Sequence, residues 1–98
     1  MRLNFHPMRI ELKKFGTTLI SRQTGSEAFK ALQPILRDIK PNEVLEIDFS
    51  GVFTFAPSWG DEFLSPLMDQ FGDRLVLLES DNLSVQATLK LLHEIKKR

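Results

Sequence analysis

Apolar residues in the first part of the chain follow two different spacings. They alternate with polar residues near the N-terminus, which predicts a short strand over residues 2–5, a turn, and a longer strand over residues 8–14. From Ala28 to Ile39 they recur every three or four residues, which predicts an amphipathic helix. The residues that could cap the start of this helix are Ser21, Thr24 and Ser26.

The middle of the chain predicts a second strand-helix pair. Residues 44–49 are rich in branched apolar side chains, a composition typical of a central strand. From Ser58 the apolar residues lie on one helical face until Gly72, a good C-cap residue. Pro34 in the first helix and Pro66 in the second each predict a bend or a break, since an internal proline costs a straight helix about 3 kcal/mol.

The last part of the chain predicts one more strand and one more helix. Residues 75–78 form a continuous apolar run, which predicts a strand buried on both faces of a parallel sheet. Asp81 or Asn82 can cap a final helix that carries Val85 and Leu92 on one side. The order β-β-α-β-α-β-α predicts an α/β fold with about four mostly parallel strands and an antiparallel N-terminal edge.

Composition limits the classes of protein to which the chain can belong. Its 98 residues predict one domain, residues 1–98, and 13 basic against 13 acidic residues produce no field that attracts nucleic acid or an anionic membrane. The absence of cysteine is consistent with a reducing compartment. With no signal-peptide or membrane-spanning pattern, we expect a cytoplasmic protein with neither nucleic acid nor membrane as a partner.

Groups that commonly carry catalysis are scarce in this sequence. There is no cysteine or tyrosine, and the two histidines, His6 and His93, lie in the predicted first turn and in the terminal helix. The glycines do not have the spacing of a phosphate-binding loop, and the acidic residues do not form a metal-ligand pattern. We therefore expect a protein that is not an enzyme and that uses neither a cofactor nor a metal.

Ser58 is the first candidate for a functional residue because it stands where a strand passes through a loop into the second helix. Loops that leave the carboxyl ends of strands are common binding sites in α/β proteins. The Ser58-x-x-Asp61 spacing indicates a capping box, in which the hydroxyl only holds the helix. Alternatively, the hydroxyl is phosphorylated, and the phosphate gains the helix amides while meeting Asp61 and Glu62. Trp59 is either a core residue or an exposed contact residue.

Two segments resemble a known family. Residues 48–52, Asp-Phe-Ser-Gly-Val, followed by Pro57, Ser58, Asp61 and Glu62, resemble the pattern D-F-S-G-V-x-x-x-S-P-S-F-A-D-E-L of a STAS-like domain family of unknown function. The family is related to the STAS domains of bacterial anti-sigma-factor antagonists, whose pattern is D-L-S-G-V-x-x-x-D-S-S-G. Residues 21–25, Ser-Arg-Gln-Thr-Gly, are similar to an S-R-x-x-x-G-like segment that opens the first helix of the STAS-like family.

The resemblance implies a STAS-like fold and a regulatory protein-interaction module whose partner is a histidine-kinase-like ATPase. Ser58 matches the phosphorylatable serine, although Ala56 replaces the acidic neighbour that antagonists have there. An alternative is a small-ligand or nucleotide sensor that uses the same loops. The residues expected to contact the partner are Arg22, Ser50, Thr54, Pro57, Ser58, Trp59, Asp61 and Glu62.

Overall fold

The computed structural model describes residues 7–96, which form parallel β-strands connected by helices and turns. The strands are β1 (Met8–Glu11), β2 (Thr18–Leu19), β3 (Leu45–Asp48), β4 (Thr54–Phe55) and β5 (Leu75–Leu77). The helices are α1 (Arg22–Arg37), α2 (Pro57–Phe71) and α3 (Leu83–Lys96). The predicted α/β class is confirmed, whereas the predicted strand over residues 2–5 and its antiparallel edge lie outside the described residues.

The strands form a three-stranded sheet in the order β1-β3-β5 and a separate pair, β2-β4. All the pairings are parallel, and Ile47 of the central strand lies between Ile10 and Leu77. The pair β2-β4 is separate because a 3-10 turn over Leu12–Phe15 interrupts the first run of extended chain and a turn interrupts the second. The predicted strand over residues 8–14 is therefore wrong beyond Glu11.

The hydrophobic core lies against one face of the three-stranded sheet. Ile10 and Ile47 are buried on that face, whereas Arg9 and Glu46 occupy the opposite face and form an ion pair at 3.1 Å. Val76 shares the opposite face and is 37% exposed. The prediction that residues 75–78 are buried on both faces is wrong, because the face of the sheet that carries Arg9, Glu46 and Val76 is uncovered within the described part of the chain.

Aromatic rings fill the centre of the core beneath the start of α2. Trp59 is 1% exposed, and its ring lies 4.9 Å from that of Phe63 and 5.8 Å from that of Phe55. Phe15 packs on the same cluster, with its ring 5.4 Å from Phe63. Because a buried aromatic side chain contributes a large apolar area, this cluster anchors the first turn of α2.

The helix ends decide between the alternatives that the sequence left open. The Ser21 hydroxyl accepts a hydrogen bond from the Thr24 amide at 3.1 Å, so Ser21 caps α1. Asn82 caps α3, since its side-chain oxygen Oδ1 accepts from the Val85 amide at 3.0 Å. Both α1 and α2 run continuously past their internal prolines. The predicted breaks are therefore absent.

Candidate functional site

The loop after β3 begins with a turn held by Asp48. The carboxylate of Asp48 accepts a hydrogen bond from the Ser50 amide at 2.9 Å, and the Val52 amide donates to the Phe49 carbonyl at 3.1 Å. The bond from the Ser50 amide holds the pKa of Asp48 below its ordinary value. Gly51 adopts a φ of +83°, a conformation that favours glycine. This turn leaves Ser50 exposed at the surface.

The next part of the loop is held from two sides. The Phe53 amide donates to the Thr17 carbonyl at 2.7 Å, which joins the loop to the segment before β2. On the other side, the Asn82 side-chain amide donates to the carbonyls of Val52 at 3.0 Å and Phe53 at 2.9 Å. Although the backbone of Phe53 is fully bonded, its side chain is 78% exposed. The loop therefore presents an aromatic ring to solvent on a constrained backbone.

The start of α3 is tied to β4 by hydroxyl groups. The Ser84 hydroxyl accepts from the Phe55 amide at 2.9 Å, and the buried Thr88 hydroxyl donates to the Phe55 carbonyl at 2.6 Å. Leu83, which lies between Asn82 and Ser84, is 79% exposed. The entrance of α3 thus lies directly beside the loop that carries Phe53.

Helix α2 begins two residues earlier than the capping-box hypothesis requires. Ala56 is the N-cap residue, with extended backbone angles of φ −86° and ψ 152°, and it provides no side-chain cap. Pro57 occupies the first helical position, where a missing amide N–H costs little. Ser58 is consequently inside the first turn and half-buried, so the prediction that it caps the helix is wrong.

Asp61 and Glu62 instead bind Arg22, the first residue of α1. The Nη1 atom of Arg22 lies 2.9 Å from Oδ2 of Asp61 and 3.2 Å from Oε1 of Glu62. The hydrogen bond from Arg22, followed by one from the Ser65 hydroxyl at 2.9 Å, lowers the pKa of Asp61. The same two carboxylates, led by Asp61, raise the pKa of Arg22. They also offset the unfavourable position of a cation at a helix N-terminus.

Close packing of the two helix starts brings Arg22 to these carboxylates. Gly25 lies against the backbone of Trp59, and a Cβ atom at residue 25 would be 2.7 Å from the Trp59 carbonyl oxygen. Glycine is therefore required for the close approach of α1 and α2 at this point. The segment that opens α1 thus supplies the cap Ser21, the cation Arg22 and the contact residue Gly25.

We call this region the entrance site and define it by residues 20–22, 50–58 and 61–62. It joins Arg22 to Asp61 and Glu62, while Ser50 and Pro57 are exposed and Thr54 is half-buried in β4. The prediction that Trp59 contacts a partner is wrong, because its indole ring lies in the core. The site offers a hydroxyl, paired charges and an exposed ring, which suit recognition of a protein surface.

Three exposed apolar residues, two in the entrance site and one at the adjoining start of α3, were not predicted from the sequence. Ile20 is 51% exposed, Phe53 is 78% exposed and Leu83 is 79% exposed. Alternation gave no signal for Phe53, because residues 53 and 55 would share one face of a regular strand and Phe55 is buried. A signal was present for Leu83, which falls outside the helical stripe that contains Val85.

A comparison of the chain with models of known protein families found no match, and comparisons with curated proteins and with solved structures also found no similar protein. Within residues 7–96, no helix has the length and apolar character needed to cross a membrane.

Proposed function

We propose that this chain is a non-enzymatic regulatory domain with a STAS-like fold that binds a histidine-kinase-like ATPase at the entrance site, in the manner of an anti-sigma-factor antagonist. The observation that carries the proposal is the contact of Arg22 with Asp61 and Glu62. It joins the two segments on which the family resemblance rests, residues 21–25 and residues 48–62, in one exposed region.

The physical properties of the entrance site support a binding role. Aromatic and arginine side chains dominate the energetics of protein interfaces, and here Phe53 and Arg22 are both exposed. The hydrogen bonds from Asn82 and to Thr17 already constrain the backbone on which Phe53 stands. Because little conformational entropy is then lost on association, this surface is organised for binding before the partner arrives.

Phosphorylation at Ser58 is the proposed means of control. Ser58 precedes Asp61 and Glu62 by three and four residues, so the three side chains lie on the same side of α2. A phosphate on Ser58 would add about two negative charges beside these carboxylates and would compete with them for Arg22. We expect this change to weaken binding of the ATPase without unfolding the domain.

The direct test mixes the purified chain with a purified histidine-kinase-like ATPase from the same organism. Calorimetry measures the affinity, and mass spectrometry locates phosphate after incubation with ATP. We expect Phe53→Ser to weaken binding at least tenfold, because loss of a central aromatic contact commonly costs more than 1.4 kcal/mol. Ile35→Ser is the matched control, since Ile35 is 41% exposed on α1 outside the entrance site, and it should bind as the unmodified chain does.

Two further results decide between the alternatives. Ser58→Asp should weaken binding while Ser58→Ala preserves it, and an unchanged affinity for Ser58→Asp would contradict control at this residue. Equal effects of Phe53→Ser and Ile35→Ser would contradict the proposed surface. Affinity for a nucleotide in the absence of any protein partner would instead favour the sensor function.

A further inference from the structure

The outer edge of β5 carries backbone groups without a partner in residues 7–96. The Leu78 amide donates to the carbonyl of Ile47 in β3 at 3.0 Å. Backbone groups of successive residues in a strand point to opposite sides, so the N–H and C=O of Leu77 point away from β3. Since β5 is the last strand of the order β1-β3-β5, these groups are available to a further strand.

A groove runs along this edge between β5 and α3. It consists of two adjoining cavities of about 380 and 460 Å³, and Leu77 and His93 line both of them. Leu75 lines the first cavity and Leu89 the second, and both side chains are only partly covered. We call this region the edge groove and define it by Leu75, Leu77, Leu89 and His93. An added strand would place alternate side chains against these residues.

Acidic residues flank β5 at both ends. Asp73 precedes the strand, Glu79 and Asp81 follow it, and all three are exposed. The guanidinium of Arg74 is directed elsewhere, since it donates to the Glu43 carbonyl at 3.1 Å. The basic side chains that line the first cavity are His93 and Lys96, and the ammonium of Lys96 is paired with Asp69.

This charge pattern argues against a second copy of the chain as the occupant. Antiparallel pairing of β5 with itself about Val76 would place Asp73 opposite Glu79, and pairing about Leu77 would place Asp73 opposite Asp81. Like charges directly opposite each other destabilise a strand pair. A partner strand with lysine or arginine opposite Asp73, Glu79 or Asp81 would instead be attracted to these carboxylates.

We propose that the edge groove is a second docking surface, which takes an extended segment of another protein with alternating apolar residues and a basic end. The backbone of the segment bonds to the N–H and C=O of Leu77, its apolar side chains pack against Leu77 and Leu89, and its basic end lies beside Glu79 and Asp81. Strand addition of this kind obtains affinity from main-chain bonds and specificity from alternate side chains.

The test uses a fluorescent, capped heptapeptide of alternating threonine and valine that ends in two lysines. A matched peptide ends in two glutamates, and a third is the lysine peptide with N-methylated amides at alternate residues, which blocks strand pairing. Anisotropy measures affinity, and amide hydrogen exchange measures protection of Leu77 in the full chain. We expect the lysine peptide to bind roughly tenfold more tightly than the glutamate peptide, to protect the Leu77 amide and to lose affinity on methylation.

Charge reversal in the protein distinguishes a specific site from general attraction. The double variant Glu79→Lys with Asp81→Lys should invert the preference between the two peptides. Glu27→Lys with Asp38→Lys changes the net charge equally at exposed residues of α1 and its C-cap, and should leave the preference unchanged. An unprotected Leu77 amide, equal effects of the two double variants, or a dimer of the chain that protects Leu77 without peptide would each overturn the proposal.

Discussion

The entrance site and the edge groove differ in which chemical groups they leave free. At the entrance site the backbone is bonded on both sides, by Asn82 and by the Thr17 carbonyl, so the side chain of Phe53 is what a partner can contact. At the edge groove the opposite holds, because the backbone of Leu77 points outward while its side chain is partly covered. The first surface is therefore suited to recognition by side chains, and the second to recognition by main chain.

The packing beneath the two surfaces differs as well. The entrance site rests on the aromatic cluster around Trp59, whereas β5 has three residues and an uncovered face at Val76. A surface that rests on a dense core keeps its shape but tolerates few substitutions below it. A short edge strand tolerates substitution and can gain order when another strand pairs with it.

Replacing Trp59 with alanine should have the largest effect on stability, and it compares the packing below the entrance site with the packing at β5. The indole is 1% exposed, so its removal leaves a cavity below the entrance site and should lower the free energy of unfolding by about 3–5 kcal/mol. Val76→Ala on β5 is the matched comparison and should cost less than about 1 kcal/mol, because that side chain is partly exposed. Urea denaturation measures the free energy of unfolding of both variants. Similar losses in the two would mean that the two regions do not differ in packing.

Gly25→Ala should also be destabilising, although helix propensity alone predicts the opposite sign. Alanine at an ordinary helical position is favoured over glycine by roughly 0.5–1 kcal/mol. Here the new Cβ would lie 2.7 Å from the Trp59 carbonyl oxygen, so the two helices must separate, and we expect a net loss of about 1–3 kcal/mol. Ser26→Ala, at the next residue, is the control. A stabilised Gly25→Ala variant would show that α1 and α2 are not in close contact there.

Asn82→Ala should loosen the loop that carries Phe53. It removes the cap of α3 and the two bonds to the Val52 and Phe53 carbonyls, with an expected loss of about 1–2 kcal/mol. Asn82→Asp separates the two roles, because a carboxylate keeps the cap acceptor and lacks the donor. Hydrogen exchange should then show a protected Val85 amide in Asn82→Asp and an exposed one in Asn82→Ala. Equal protection in both variants would contradict the assigned cap.

The sequence pattern predicted features that depend on residues close together in the chain. The three-four spacing in α2 correctly marked the helical face of Phe63, and Gly72 correctly marked the end of the helix. The N-cap was misplaced by two residues because Ser58 resembled a cap, although Pro57 carried the competing signal of a first helical position. The pairing of Arg22 with Asp61 spans 39 residues and depends on how α1 crosses α2, which periodicity does not encode.

The position of β5 at the edge of the sheet was also not predicted from the sequence pattern. The run over residues 75–78 is as apolar as that of a fully buried strand, and hydrophobicity alone does not show whether a strand has one neighbour or two. The position of β5 follows from the crossover through α2, which places it beside β3 on the side away from β1. The groove beside α3 is therefore a property of the topology, whereas Val76 is exposed because nothing in residues 7–96 covers its face of the sheet.

The smallest expected effect concerns the ion pair of the entrance site and its dependence on pH. Arg22 lowers the pKa of Asp61, so this carboxylate is more acidic in the folded than in the unfolded chain. The resulting stabilisation is present above the unfolded pKa of about 4 and is lost as the pH falls through the folded value. Arg22→Gln should therefore be slightly less stable than the unmodified chain at pH 7, and the difference should vanish in more acidic solution.

Titration of the Asp61 carboxyl carbon by NMR tests this assignment directly. Its pKa should rise in Arg22→Gln, and by a smaller step in Ser65→Ala, which removes the second hydrogen bond to the same carboxylate. Asp48 is an internal control, because its low pKa has a separate cause in the Ser50 amide and should not change. An Asp61 that titrates identically with and without Arg22 would mean that the exposed ion pair is screened by solvent. The two segments of the entrance site would then be held together by the contact of Gly25 with Trp59 and by the pairing of β2 with β4, without a contribution from the ion pair.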